Sequence, residues 1–147
     1  MMYMRVLQSI HGHLGMLAAA ALIHPAIVLR RGKPLSYRGR WAVSLSTGFT
    51  VLAYSAGIAI YADYRNLVKR ALFHENLHAG MLFETKEHLA LSVVCLALGG
   101  LVAALAAPRR ATALRRSAAV IYALAAALCL LTGALGVYVT SVHGFWH

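Results

Sequence analysis

The sequence predicts an all-α integral membrane protein, a four-helix up-down bundle with both termini on the extracytoplasmic side. Three observations lead to that fold. The chain is 61% hydrophobic over 147 residues, with a mean hydropathy of +0.68, a composition suited to a bilayer rather than to water. Four apolar runs, at about 14–29, 41–61, 89–107 and 117–142, are separated by polar, Pro- or Arg-bearing segments. With its flanks, each run is long enough to cross about 30 Å of hydrocarbon as a helix. The third observation is that basic residues gather in two of the connections.

Taken in order, the helices are expected at about 6–30, 41–62, 88–107 and 117–142, in a single domain spanning 1–147, with 63–87 as an outer segment. Strands are not expected, because no ten-residue stretch alternates and Ala and Leu dominate. The first run carries His11, His13 and His24 and leads to no A-x-A site before a polar mature domain. It therefore reads as a structural helix and not as a cleavable leader. Pro25 lies inside it, removing one backbone hydrogen bond and freeing a carbonyl near residue 21. In the third run Gly99, Ala103 and Ala107 form a small-xxx-small row suited to close helix packing.

Charge sets the expected orientation. Segment 30–40 holds Arg30, Arg31, Lys33, Arg38 and Arg40, and segment 108–116 holds Arg109, Arg110, Arg115 and Arg116. Between them, segment 62–88 balances four bases with all four of the chain's acids. Both basic loops should then face the cytoplasm, with the termini and 62–88 outside. The net charge of +10 reads as contact with lipid headgroups, and nucleic-acid binding is not expected. High Ala, Leu and Arg usage suggests a bacterial cytoplasmic membrane. Cys95 and Cys129 lie inside apolar runs without a C-x-x-C pattern, and read as small packing residues.

The chemistry-bearing residues are histidines. Eight in so small a membrane protein is an excess, since polar groups near hydrocarbon are costly and usually functional. His11 and His13 stand at the outer entrance of the first helix, His88 at that of the third, and His143 at the outer exit of the fourth. His74, His78 and His147 lie farther out. Only His24, beside Pro25, sits toward the cytoplasmic half, as a buried group bonded to a freed carbonyl or hydroxyl, or as a quinone-bonding group or proton relay. At about 100° per residue, His13 and His24 fall about 20° apart on one face, and His11 points elsewhere. His13 is thus the expected inward residue, and His11 and His147 read as headgroup-zone side chains. A helix continuous over 66–107 would align His74, His78, Met81, Thr85, His88, Ser92 and Cys95 in one stripe. The second helix offers Thr47, Thr50, Tyr54 and Tyr61.

Three chemistries compete for these residues. A b-type haem needs two axial imidazoles facing each other across a bundle, with small residues at its edges. His13 and His88 would be the ligands, His143 the substitute for either, and His24 a ligand for any second haem. Zinc is suggested by His74-Glu75-x-x-His78, with two imidazoles one turn apart, Glu75 as general base and Glu84 as a third ligand. A di-iron or copper centre could draw on Glu75-x-x-His78, or on the outer histidines with Met81. Glu84 alternatively serves as the carboxylate that fixes a ligand's tautomer.

With paired histidines on its first and third helices, His13 with His24 and His74 or His78 with His88, the chain resembles the small four-helix membrane b-type cytochromes. That resemblance implies electron transfer through haem b near the periplasmic face, as a small cytochrome or a subunit of a respiratory-type complex. Quinol would be a fitting donor and a periplasmic electron-transfer protein a fitting acceptor, with no catalytic residues of the chain's own. The alternatives are a cofactor-free structural or assembly subunit packed against other membrane subunits, and a periplasm-facing protein that binds zinc, copper or iron.

Overall fold

The computed structural model describes residues 2–143, and these are almost wholly helical. Helix α1 (Met2–Leu29) is followed by a basic loop and α2 (Tyr37–Tyr64). A π turn (Arg65–Lys69) joins α2 to the short α3 (Arg70–Glu75), after which come α4 (Leu77–Ala106) and α5 (Thr112–Val142). Four helical segments are long and apolar enough to cross a membrane: α1, the continuous run Tyr37–Glu75, α4 and α5.

The helices outrun the apolar segments that predict them. The second begins at Tyr37 because the Ser36 hydroxyl caps it, accepting from Gly39 N at 3.1 Å. It continues to Glu75, 39 residues in all, or about 58 Å at 1.5 Å per residue. That length is nearly twice the thickness of a hydrocarbon layer of about 30 Å. Segment 63–87, expected as an outer segment between helices, is itself a helical hairpin. It turns at Asn76, whose extended backbone (φ −151°, ψ 90°) ends α3 and whose side chain caps α4 through Ala79 N at 3.0 Å. No helix is continuous over 66–107.

α1 packs on α2 and α5, and α4 packs on α5 and, less closely, on α2, so α1 and α4 stand across the bundle from each other. The inner positions of α4 are Ala79, Phe83, Val93, Ala97, Gly100 and Ala104. With 86 and 90 they form one row of alternating three- and four-residue steps, the seam that lets near-parallel helices interlock. Small side chains bring the backbones close where no water drives them together. Alanine fills six of the eleven buried positions of the larger core, and a Cβ on Gly100 would stand 3.0 Å from the Tyr122 ring. The tight small-residue row is therefore Ala97, Gly100 and Ala104, one residue out of step with the row expected at Gly99, Ala103 and Ala107; Gly99 faces outward. Tyr122 brings its hydroxyl to Thr47 Oγ1 at 2.7 Å. Thr47 and Thr50 are buried, and each also donates to its own helix four residues back, so these hydroxyls are satisfied inside the bundle.

Both basic loops lie at one end, tied together by Arg115. Assigned by sequence to the loop charge, it is instead buried in the first turn of α5. Its guanidinium donates to Gly32 O (2.7 Å), Pro108 O (2.7 Å) and Arg109 O (2.8 Å). Gly32 accepts this contact from a left-handed backbone (φ +66°), and a Cβ there would collide with Thr112. Removing the guanidinium would strand three carbonyls, so Arg115→Ala is expected to lower stability by about 2–4 kcal/mol. Chemical unfolding in detergent reads this directly; the exposed neighbour Arg116→Ala should stay within about 0.5 kcal/mol of wild type.

Candidate functional site at the acid-bearing end

The opposite end is built differently. The first turns of α1, the α2–α4 hairpin and the last turns of α5 meet around a second core of Tyr64, Val68, Leu72, Ala79, Phe83 and Val139. Tyr64 and Phe83 stack with centroids 5.3 Å apart and planes 6° apart. Two lysines rest on this aromatic pair. Lys69 Nζ lies 5.5 Å from the Phe83 centroid and also meets Glu84 (3.1 Å) and Glu87 (3.2 Å). Lys86 Nζ lies 5.3 Å from Phe83 and 6.0 Å from Tyr64, but pairs with no carboxylate among the described residues.

One turn deeper the interior stays polar. Gln8 Nε2 makes a long contact to Thr140 Oγ1 (3.4 Å), and the Thr140 side chain also hydrogen bonds with Tyr64. His11 faces α2, its Nδ1 lying 2.8 Å from Ala53 O. Room for its ring comes from Gly57, where a Cβ would stand 2.8 Å from His11 Cε1. The buried oxygens Gln8 Oε1 and Glu87 Oε1 have no hydrogen-bond partner among the described residues. The result is a half-buried layer of amide, imidazole, ammonium and hydroxyl, beyond a core in which alanine is the commonest side chain.

The histidines singled out by sequence fall elsewhere. His13, expected inward, is exposed on α1, with Nδ1 bonded to Ser9 O at 2.7 Å. Two residues along a helix turn the side chain by about 200°, and Gly57 admits His11 rather than His13. His24 is exposed on the same face, as their spacing predicts, and so is not the buried group beside Pro25. His88 is exposed on α4, its Nδ1 2.8 Å from Glu84 O. His143 is partly buried, with Nδ1 3.0 Å from Glu75 Oε2. His13, His88 and His143 therefore do not converge inside the bundle, because α1 and α4 present the first two on outward faces of non-adjacent helices. His147, with Phe145 and Trp146, lies outside the described residues.

The His74-Glu75-x-x-His78 motif is broken by Asn76. His74 ends α3 and His78 begins α4, both exposed, and Glu75 is bonded to His143. A zinc hydrolase needs both imidazoles on one turn of one helix, and the cap at Asn76 removes that geometry. Glu84, offered as a third ligand, pairs with Lys69. Beyond the break the stripe survives from His78 through Met81, Thr85, His88, Ser92 and Cys95, all exposed. Among the described residues no three His, Cys, Asp or Glu side chains gather as a metal-binding group.

What sequence reasoning did not do is bring Gln8, His11, Lys86 and Thr140 together as an interior set; it read His11 and Lys86 as headgroup-level side chains and Thr140 as part of a polar stripe on the fourth helix. A signal for it existed: 79, 83, 86, 90, 93 and 97 continue one row of inner positions, as do 4, 8, 11, 15, 18 and 22 on α1. Compared with known proteins, the chain matches no family model, no curated protein and no solved structure.

Because the hairpin turns on one side chain, Asn76→Ala is expected to cost about 1 kcal/mol, whereas Asn76→Asp should change stability by only a few tenths. Equilibrium unfolding of the two variants checks this. Equal losses would mean that the Asn76–Ala79 cap does not set the turn.

Proposed function

We propose that the chain is an electron-transfer subunit of a larger membrane complex, carrying b-type haem against its outer face rather than inside its own bundle. The observation that carries this reading is the shared geometry of His13 and His88. In each, Nδ1 is bonded to the carbonyl four residues back, which leaves Nε2 as the outward lone pair of an exposed imidazole. Second-sphere anchoring of this kind fixes ring orientation and tautomer in metal-ligating histidines. A lipid-side setting for such groups is costly, and α4 adds exposed Thr85, Ser92 and Cys95 to the same stripe. A neighbouring subunit covering these faces relieves that cost and supplies the second axial ligand that one chain cannot bring to either histidine.

The two exposed basic loops favour placing their end in the cytoplasm, with the described ends Met2 and His143 and the α2–α4 hairpin outside, in a bacterial cytoplasmic membrane. His13 and His88 then stand near the outer interface, within reach of a periplasmic electron carrier. Quinol in the bilayer is a fitting reductant.

The test is an oxidised-minus-reduced visible spectrum of protein extracted in mild detergent. A sharp α-band is expected, lost in His13→Ala or His88→Ala and kept in His74→Ala and His78→Ala. Extracted wild-type protein without that band would end the haem reading and leave a cofactor-free subunit.

A further inference from the structure

Two neighbouring arginines at the basic end have different surroundings. Arg115 is buried and binds three carbonyls. Arg116 is exposed and, among the described residues, makes no hydrogen bond or ion pair. Arg30, immediately beyond the end of α1, is exposed and equally without a partner among them. Both Arg30 and Arg116 line one open groove of about 270 Å³ between α1 and α5, whose other walls are Ala26, Ala119, Val120 and Ala123. Ala119 belongs to the larger core and Ala26 packs against it, so small methyl groups form the floor, while Val120 and Ala123 are exposed at the edge.

Level and charge point to the occupant. Arg30 directly follows the first apolar run and Arg116 directly precedes the fourth, so both stand where hydrocarbon gives way to headgroups. Ala123 lies two turns farther along α5 than Arg116, about 10 Å at 1.5 Å per residue. The groove thus leads from two cations into the apolar layer. No carboxylate of this chain can meet them, because Asp63, Glu75, Glu84 and Glu87 all lie on the α2–α4 hairpin at the opposite end. A second copy in the same orientation would bring base against base here, and a zwitterionic headgroup would add an ammonium beside two guanidiniums. A headgroup of net negative charge meets neither objection, and the fork of guanidinium donors matches phosphate oxygens.

We propose that this groove seats one anionic phospholipid, with its phosphate between Arg30 and Arg116 and the start of one acyl chain on Ala26, Ala119, Val120 and Ala123. Both guanidiniums donate to phosphate oxygens, and the acyl chain gives the exposed methyl groups the contacts that the bundle does not. Shape added to charge distinguishes this seat from the diffuse attraction of the other loop bases for an anionic leaflet. The site is independent of the haem reading and survives its failure.

The test uses the full chain in detergent, titrated with phosphatidylglycerol or with phosphatidylcholine of the same acyl chains and read by native mass spectrometry. Wild type is expected to hold about one phosphatidylglycerol per chain, at least ten-fold more tightly than phosphatidylcholine. Combining Arg30→Gln with Arg116→Gln should weaken phosphatidylglycerol binding at least ten-fold. Ala123→Phe, which fills the groove and keeps both charges, should do the same. Combining Arg38→Gln with Arg40→Gln removes equal charge from exposed positions outside the groove and should leave binding within about two-fold of wild type. All these substitutions alter exposed side chains, so melting temperatures without lipid should match wild type and separate loss of binding from loss of fold. Equal weakening by the two arginine pairs would overturn the proposal, since charge alone would then hold the lipid. So would undiminished binding to Ala123→Phe, or wild-type protein that does not prefer phosphatidylglycerol.

Discussion

Close approach of helix backbones is the constraint on which the rest of the structure depends. In hydrocarbon, apolar helices have no hydrophobic reason to leave lipid for one another, so they associate through packing at short range. Ala97, Gly100 and Ala104 on α4, facing Ala118, Tyr122 and Ala125 on α5, meet that requirement over half the bundle. Arg115 then fixes the basic end by binding the carbonyls of both loops at once. With one end held this tightly, the helices run on as long rods, longer than the roughly 20 residues that cross a hydrocarbon layer.

The inner rows change character along their length. Toward the basic end they carry chiefly alanine, with Gly100 on α4; toward the acid-bearing end they carry Gln8, His11, Lys86 and Thr140, and the Tyr64–Phe83 stack supplies ring faces for two ammonium groups. The two ends are electrostatic opposites in organisation. At the basic end like charges are spread over the surface, which suits an anionic leaflet. At the other end Lys69 pairs with Glu84 and Glu87, Glu75 bonds to His143, and Lys86 rests on two ring faces, while Asp63, Arg65 and Arg70 stay exposed.

The four spans and the difference between the two ends are legible in the sequence because they depend on composition alone. The hairpin over 63–87 is not, because its mixed charges read as solvent-exposed chain and nothing in them announces a π turn or shows that Asn76 would cap α4. The shared face of His13 and His24 follows correctly from their spacing, but spacing cannot say whether that face looks in or out. Gly57 decides it, by leaving room opposite His11, a contact forty-six positions away in the chain that no local pattern encodes. Lys86 is the instructive omission. Its place in the row of inner positions was readable, but its charge invites assignment to the surface, and residue type outweighed position.

The proposal that this chain works against a neighbouring subunit is tested most directly by its mass on extraction from the membrane. Native mass spectrometry of the complex released in the mildest effective detergent should find this chain with at least one further subunit, another copy or a different protein, together with the mass of haem. A lone chain without haem, released under conditions that keep other membrane complexes intact, would contradict the account.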